Sequence, residues 1–359
     1  MTKSQEPRKS EGPAGTVICT GISKVDKIPF LREFAETGRR RGGRVEVHDV
    51  GSMLLRKAEI LGIPYRDEKI LDAPEVTLKT LRAAVFEEIL KNLSEDQVNL
   101  ISLHACFRWD GTLLSGFDPY YLNLLRPRLF LTLVDDLRKI ETRMGESKQW
   151  RGRLTRSEIV DWQNTELFVT QTMSAFLNRP CYMIPKTQPM GPLWNLVVRP
   201  EHPKAYISYP ISALFKRESG VDPDAFFEEV RAFREFAEEF LVVFDPMSIK
   251  DLEMDPARAE DDEEVELLKK VTVWRDFTFI NQSDFLIVFN PHGLDSPGVN
   301  DEVFHGFSNN KDVYLYYAGE SRSPFLESKT TRIFSDLGEM KEFLLEKYGP
   351  PARGENGAP

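Results

Sequence analysis

A chain of 359 residues is longer than one hydrophobic core usually supports, so two domains of roughly 150–190 residues are expected. With 41% hydrophobic and 11% aromatic residues both can bury real cores, while a net charge of -10 excludes a general affinity for nucleic acid, which needs surplus Lys and Arg. Three widely spaced cysteines, Cys19, Cys106 and Cys181, exclude a disulfide framework or zinc knuckle and read as small buried apolar residues.

Residues 1–15 are polar, rich in Pro, Gly and charge, and lack the apolar core of a signal peptide. They are expected to be a loose tail, as are residues 350–359. The longest apolar runs are strand-sized, so a cytoplasmic protein without a membrane partner is expected. From Thr16 the run TVICTG, followed by apolar residues at Ile28, Leu31, Phe34 and Ala35, predicts strand, tight loop and helix, with a second strand at RVEVHDV. A helix over about 78–93, a strand through NLISLHACF, a helix from Asp118 to Leu125 and a strand at RLFLTLVDD follow, then helix over 156–177 and a strand at CYMIP.

Residues 186–202 hold several prolines and no clear period, which predicts a linker between domains at 16–185 and 203–349. Beyond it come the strand KAYISYPI, an amphipathic helix from Asp222 to Glu239 and the strand FLVVFDP. The acidic stretch DLEMDPARAEDDEEVE reads as a solvated loop. A helix through Asp276, the strand DFLIVFNP, a Gly-containing loop, the helix VNDEVFHGF and the strand DVYLYYA complete the series. Strands alternating with helices predict an α/β protein in which each domain is a mainly parallel sheet flanked by helices.

In the N-terminal half, Gly21 opens a loop between strand and helix and Lys27 stands six residues on, the spacing of a phosphate-binding loop. Asp26 stands where such a loop has its second glycine, and Ile28 where it has the hydroxyl that holds magnesium. The segments DVGSMLLRKAEILGIPYRDEKILD, SLHACFRWDGTLLSGFDPYYLNLLRPRLFLTLVDD and TRMGESKQWRGRL resemble the archaeal-type adenylate kinases over nearly all of residues 16–185. The resemblance implies a P-loop kinase fold, and makes Arg143, Arg151 and Arg153 counterparts of the family's lid arginines, with a solvated charged loop as the alternative. Where the family has an Asp-Thr-His sequence this chain has Ser102-Leu103-His104, and His104 also reads as a strand-end core residue. A degenerate domain follows, binding an ATP-like nucleotide through Gly21, Lys27 and the three arginines or only scaffolding its neighbour, with magnesium not expected.

In the C-terminal half, Asn290 to Glu302 leaves the carboxyl end of a strand, where ligands of parallel sheets sit. Gly298 permits a tight turn, and Glu302 is expected in the first turn of the following helix, favoured by its dipole. A carboxylate there suits cleavage of an N-glycosidic bond, whose transition state is cation-like, and Asp276, Asp284 and Asp295 are available as a second acid. Residues 203–318 resemble the nucleoside 2-deoxyribosyltransferases, a Rossmann-like or flavodoxin-like fold. The resemblance implies that Glu302 is the nucleophile, Tyr206 its strand neighbour, Asp276 the base-holding aspartate and Asp295 the loop aspartate, although Pro297 interrupts the family's Asp-Ser-Gly. Structural alternatives remain: Glu302 as a helix-start charge, Asp276 as a solvated helix residue, Asp284 as a cap, Asp301 as a helix charge, and His305 and Tyr209 as packing residues. The expected function is cleavage or transfer at the glycosidic bond of a nucleoside or nucleotide, without metal or cofactor. The rivals are a nucleoside monophosphate kinase with a ligand-binding C-terminal domain and a non-catalytic nucleotide sensor. A homo-oligomer is expected from both resemblances.

Overall fold

The computed structural model describes residues 15–65, 69–199, 201–215, 220–249, 262–319 and 323–350, with the side chains of 262–265 excepted. In chain order the elements are β1 (Gly15–Thr20), α1 (Lys27–Arg40), β2 (Val45–Asp49), α2 (Val50–Ile60), α3 (Glu75–Asn92), β3 (Val98–Ser102), β4 (Cys106–Trp109), β5 (Thr112–Ser115), α4 (Pro119–Leu125), β6 (Leu129–Val134), α5 (Leu137–Gly145), α6 (Arg156–Phe176) and β7 (Cys181–Pro185). They continue as α7 (Met190–Val198), β8 (Lys204–Ser208), α8 (Ile211–Leu214), α9 (Pro223–Glu238), β9 (Val242–Phe244), α10 (Asp262–Gln282), β10 (Phe285–Phe289), α11 (Pro297–Ser308), β11 (Asp312–Tyr316), α12 (Pro324–Glu327), β12 (Arg332–Phe334) and α13 (Leu337–Tyr348). The chain divides into two compact units, one running to Met190 and including Val197–Arg199, the other holding Gly191–Leu196 and the chain from Pro200. Among the described residues no helix is long and apolar enough to cross a membrane.

The N-terminal unit is a five-stranded sheet in the order β2-β3-β1-β6-β7, with every neighbour parallel. Strands β3 and β6 are buried along their whole length, as expected of a sheet covered on both faces. On one side α3 and α4 deliver Val85, Phe86, Ile89, Tyr121 and Leu122 to a core with Ile18, Ile101 and Phe130. Helix α6 begins with a capping box, in which Thr155 accepts from the Glu158 N–H and the Glu158 carboxylate accepts from that of Thr155. It carries Glu166, fully buried, whose oxygens accept from the backbone N–H groups of Gly21 (2.9 Å), Ala105 (2.8 Å) and Cys106 (2.9 Å). One carboxylate therefore fixes both the loop after β1 and the segment after β3.

The C-terminal unit is a second parallel five-stranded sheet, order β12-β11-β10-β8-β9, which is the flavodoxin-like arrangement. Alternation along β8 decides its chemistry. Ala205, Ile207 and Tyr209 face the core with Phe226, Val230 and Phe233 of α9. Tyr206 and Ser208 therefore face the other side of the sheet. Because β8 is followed by β9 on one side and paired with β10 on the other, the chain reverses direction between β8 and β10, which is where ligands of such sheets bind.

Several expectations are corrected. The single strand expected through NLISLHACF ends at Ser102, and Cys106–Trp109 instead pairs antiparallel with Thr112–Ser115. The Asp110-Gly111 turn between them has both φ values positive, 46° and 74°, the geometry that a two-residue hairpin prefers. The stretch 186–202, expected as a linker with no clear period, contains α7. Leu193, Trp194, Leu196 and Val197 are buried there, and Pro192 falls within the first turn, where a proline is tolerated. The acidic loop expected at 251–266 lies outside the described residues as far as Asp261, and its last residues open α10; the terminal tails, Gly15 and Pro350 apart, are also outside them.

Replacing Glu166 by Ala leaves three buried N–H groups without a partner, and is expected to lower the unfolding free energy in urea by about 3–5 kcal/mol. A loss under about 1 kcal/mol would show that water replaces the carboxylate without penalty.

Candidate functional site

At the carboxyl end of β8 and β10, Glu302 is held by two hydroxyls. Tyr206 Oη donates to Glu302 Oε1 at 2.8 Å, and Ser208 Oγ donates to Oε2. Both donors stand on the same face of β8, two residues apart, so strand pleating alone aims them at one carboxylate. Tyr206 is completely buried, and Glu302 is half-buried. Burial pushes the Glu302 carboxyl up to about 7, against the pull of the Ser208 and Tyr206 hydrogen bonds.

The helix that carries Glu302 starts earlier than its sequence suggests. Ser296 is the N-cap, with its hydroxyl accepting from the Val299 N–H, and Pro297 takes the first helical position. Glu302 therefore lies in the second turn, beyond the reach of the helix dipole, and Gly298 is helical rather than part of a preceding turn. What orients Glu302 is the pair of hydroxyls. The preceding loop is fixed by Asn290, whose amide donates to the Leu294 carbonyl at 2.9 Å and accepts from the Leu294 N–H at 3.0 Å.

Asp276 projects from α10, which packs against α11. Its Oδ1 is buried without a hydrogen-bond partner. Burial first, then the negative charges of Glu302 and Asp245, hold its carboxyl well above the usual range despite the neighbouring Arg275. Asp245, itself buried, accepts from Tyr209 Oη at 2.7 Å and from the Met247 N–H at 2.8 Å, and pairs with Arg234 at 2.5 Å. The result is a carboxyl that holds its proton more tightly than usual beside one raised to about 7.

Tyr206, Asp276 and Glu302, three of the residues predicted for this site, are thus brought together. Asp295 is not: it is exposed at the end of the loop, and no described hydrogen bond or ion pair joins it to Glu302 or Asp276. Ser208 was missed by sequence reasoning, although its position two residues after Tyr206 signals a shared face. Asp284 accepts from the Lys204 N–H at 2.9 Å and pairs with its side chain at 3.0 Å, a structural role. His305 stacks on Phe277 at 4.2 Å and bonds Asn281 at 2.8 Å.

In the N-terminal unit the predicted phosphate-loop residues lie at the end of β1, with Lys27 on the border of a cleft. Gly21 has φ 147°, and a Cβ there would stand 2.9 Å from the Leu133 carbonyl oxygen, so only glycine fits. Lys27 is buried, its Nζ donating to the Gly21 carbonyl and lying 3.3 Å from His104 Nε2. Burial lowers its pKa to about 8, although the Glu166 and Asp49 charges oppose the shift. The three arginines expected in a lid make separate contacts. Arg143 pairs with Asp26 at 2.6 Å and with Asp135, Arg151 donates to the Gly145 carbonyl at 2.7 Å, and Arg153 pairs with Asp110 at 3.0 Å while lying 4.6 Å over the Trp109 ring. A cleft of about 360 Å³ next to this loop has mainly apolar walls, among them Leu54, Leu71, Phe107 and Trp150. Among the described residues no group of three or more His, Cys, Asp or Glu side chains is arranged to hold a metal ion.

No protein-family model matches the chain, and no curated protein matches it. Among solved structures it is similar to a 2-deoxyribosyltransferase from the bacterium Bacillus psychrosaccharolyticus, at 17% identity and TM-score 0.28, over 38% of this chain and 90% of that one. A conserved protein from Enterococcus faecalis matches 40% of this chain and 98% of its own, at 14% identity and TM-score 0.28. Shikimate kinase from Bacteroides thetaiotaomicron matches 47% of this chain and 86% of its own, at 14% identity and TM-score 0.29. Likenesses of this size carry no argument about chemistry, which rests on the side chains.

The raised Asp276 pKa has a thermodynamic consequence. The folded chain holds that proton more tightly than the unfolded chain, so stability falls as pH rises from the ordinary carboxyl range through the raised value. Asp276→Asn removes the loss, and is expected to raise Tm at pH 8 by roughly 2–4 °C and to change little at pH 4. A lower Tm for the variant at both pH values would contradict the assignment.

Proposed function

We propose that the C-terminal unit cleaves or transfers at the N-glycosidic bond of a nucleoside or nucleotide, with Glu302 as nucleophile, Asp276 as the acid that serves the base, and Tyr206 and Ser208 as positioning residues. The observation that carries this reading is the Glu302 carboxylate gripped by two hydroxyls beside the half-buried Asp276, whose Oδ1 is buried and whose carboxyl is held well above the usual range. Each Glu302 oxygen keeps a second lone pair, so the grip orients the carboxylate without consuming it. The C1′–N bond breaks with its electron pair on the base, the base takes the Asp276 proton, and a Glu302 oxygen bonds to C1′. An acceptor base or water then attacks C1′, the ester pair returns to Glu302, and the proton released by the acceptor restores Asp276. Nothing in this cycle requires a metal.

Phosphoryl transfer by the N-terminal unit is not supported. Lys27 bonds its own loop, Ile28 stands where a metal-binding hydroxyl is needed, and Arg143 is already paired.

Chromatographic assay of free base is the test, using nucleosides and deoxynucleotides with and without an acceptor base. Wild type is expected to release base and Glu302→Ala to fall to background, while Asp276→Asn loses about 10²–10⁴-fold. The rate should rise with pH as Glu302 ionises near 7 and fall again where Asp276 gives up its proton. Ser208→Ala removes a hydrogen bond that favours the ionised form, so the rising limb should move to higher pH. Base release that survives Glu302→Ala unchanged, or no release from any compound by wild type, would end this reading.

A further inference from the structure

Two cations of the N-terminal unit converge on one oxygen. Asp26 Oδ2 accepts from Arg143 Nη1 at 2.6 Å and from Lys186 Nζ at 2.7 Å, although Arg143 belongs to α5 and Lys186 follows β7. Cations from two separate elements meeting at one point make a seat for a tetrahedral anion, and here a carboxylate of the chain fills it. The Asp26 backbone is committed to that arrangement. It is the N-cap of α1, yet its φ of 58° and ψ of 46° lie in the left-handed region and its side chain caps none of the helix N–H groups. Left-handed backbone is unfavourable for a residue with a side chain, and the two ion pairs offset that cost. An open cleft of about 530 Å³ beside the cluster adds Lys139 and the hydroxyl-bearing Thr142 and Thr187 to its lining. Three cations there face the carboxylates of Asp26 and Asp135; without Asp26 they would face one.

We propose that Asp26 occupies in cis an anion seat formed by Arg143 and Lys186, so that the N-terminal unit accepts a phosphoryl anion only when that carboxylate is displaced. The contact is autoinhibitory. It keeps a basic cleft closed to free phosphate and polyphosphate while leaving the neighbouring apolar cleft accessible. This inference is independent of the glycosidic chemistry, because its readout is anion binding rather than base release.

The test is calorimetric titration of inorganic pyrophosphate into the full chain as wild type, Asp26→Asn and Asp26→Gly. Both replacements tolerate left-handed backbone, so both should fold, which unchanged circular dichroism would verify. The expected result is no binding by wild type at millimolar pyrophosphate, binding at least tenfold tighter by both variants, and loss of that gain when Arg143→Gln is added to Asp26→Asn. Equal binding by wild type and Asp26→Asn, a gain that survives Arg143→Gln, or no binding by either variant would overturn the proposal.

Discussion

Two hydroxyls on one strand hold a carboxylate on a neighbouring helix, and the chemistry proposed for the C-terminal unit depends on that grip. Tyr206 and Ser208 point the same way because β8 is pleated, and Glu302 meets them because α11 follows the adjacent strand β10. The two hydrogen bonds favour the ionised carboxylate while burial disfavours it, and the balance near 7 leaves Glu302 able to act as either anion or acid. Asp276 feels burial and the Glu302 charge without a hydrogen-bond donor on Oδ1, so its proton is held more tightly than usual. The two carboxyls thereby differ in how tightly each holds its proton, which is the kind of separation that glycosidic chemistry asks of two carboxyls.

The N-terminal unit applies similar components to a different end. Its buried carboxylate, Glu166, accepts from three backbone N–H groups and serves to fix loops. Its partly exposed carboxylate, Asp26, neutralises the cations that would otherwise draw a phosphate. Lys27, the residue with the most suggestive spacing, is folded onto the Gly21 carbonyl. A phosphate-loop spacing therefore survives in a loop whose charges are satisfied internally.

Much of the fold was legible because parallel strands covered on both faces are written as continuous apolar runs, as in LFLTLV and FLIVF. The convergence of Tyr206, Asp276 and Glu302 was anticipated through a family resemblance, and Ser208 needed only the period of two along β8. The start of α11 was misjudged because Asp295-Ser296-Pro297-Gly298 reads as a turn, whereas Ser296 as cap and Pro297 at the first position begin a helix. Helix α7 was hidden by the prolines around it. The β4–β5 hairpin was announced by Asp110-Gly111, but an apolar run from Asn99 to Phe107 masked it. Neither the partners of Asp26 nor the role of Glu166 is local: Asp26 lies 117 residues from Arg143 and 160 from Lys186, Glu166 lies 145 from Gly21, and nothing in the flanking sequence signals such pairings.

The most direct measurement is of the covalent bond itself. A nucleoside carrying fluorine at C2′, which destabilises a cation-like transition state and slows breakdown of a glycosyl ester, would be incubated with the protein, quenched in acid and mapped by peptide mass. The account predicts a glycosyl adduct on the peptide containing Glu302 in wild type and none in Glu302→Gln. Release of base without any ester on Glu302, or an adduct carried by Asp276 or Asp295 instead, would contradict it.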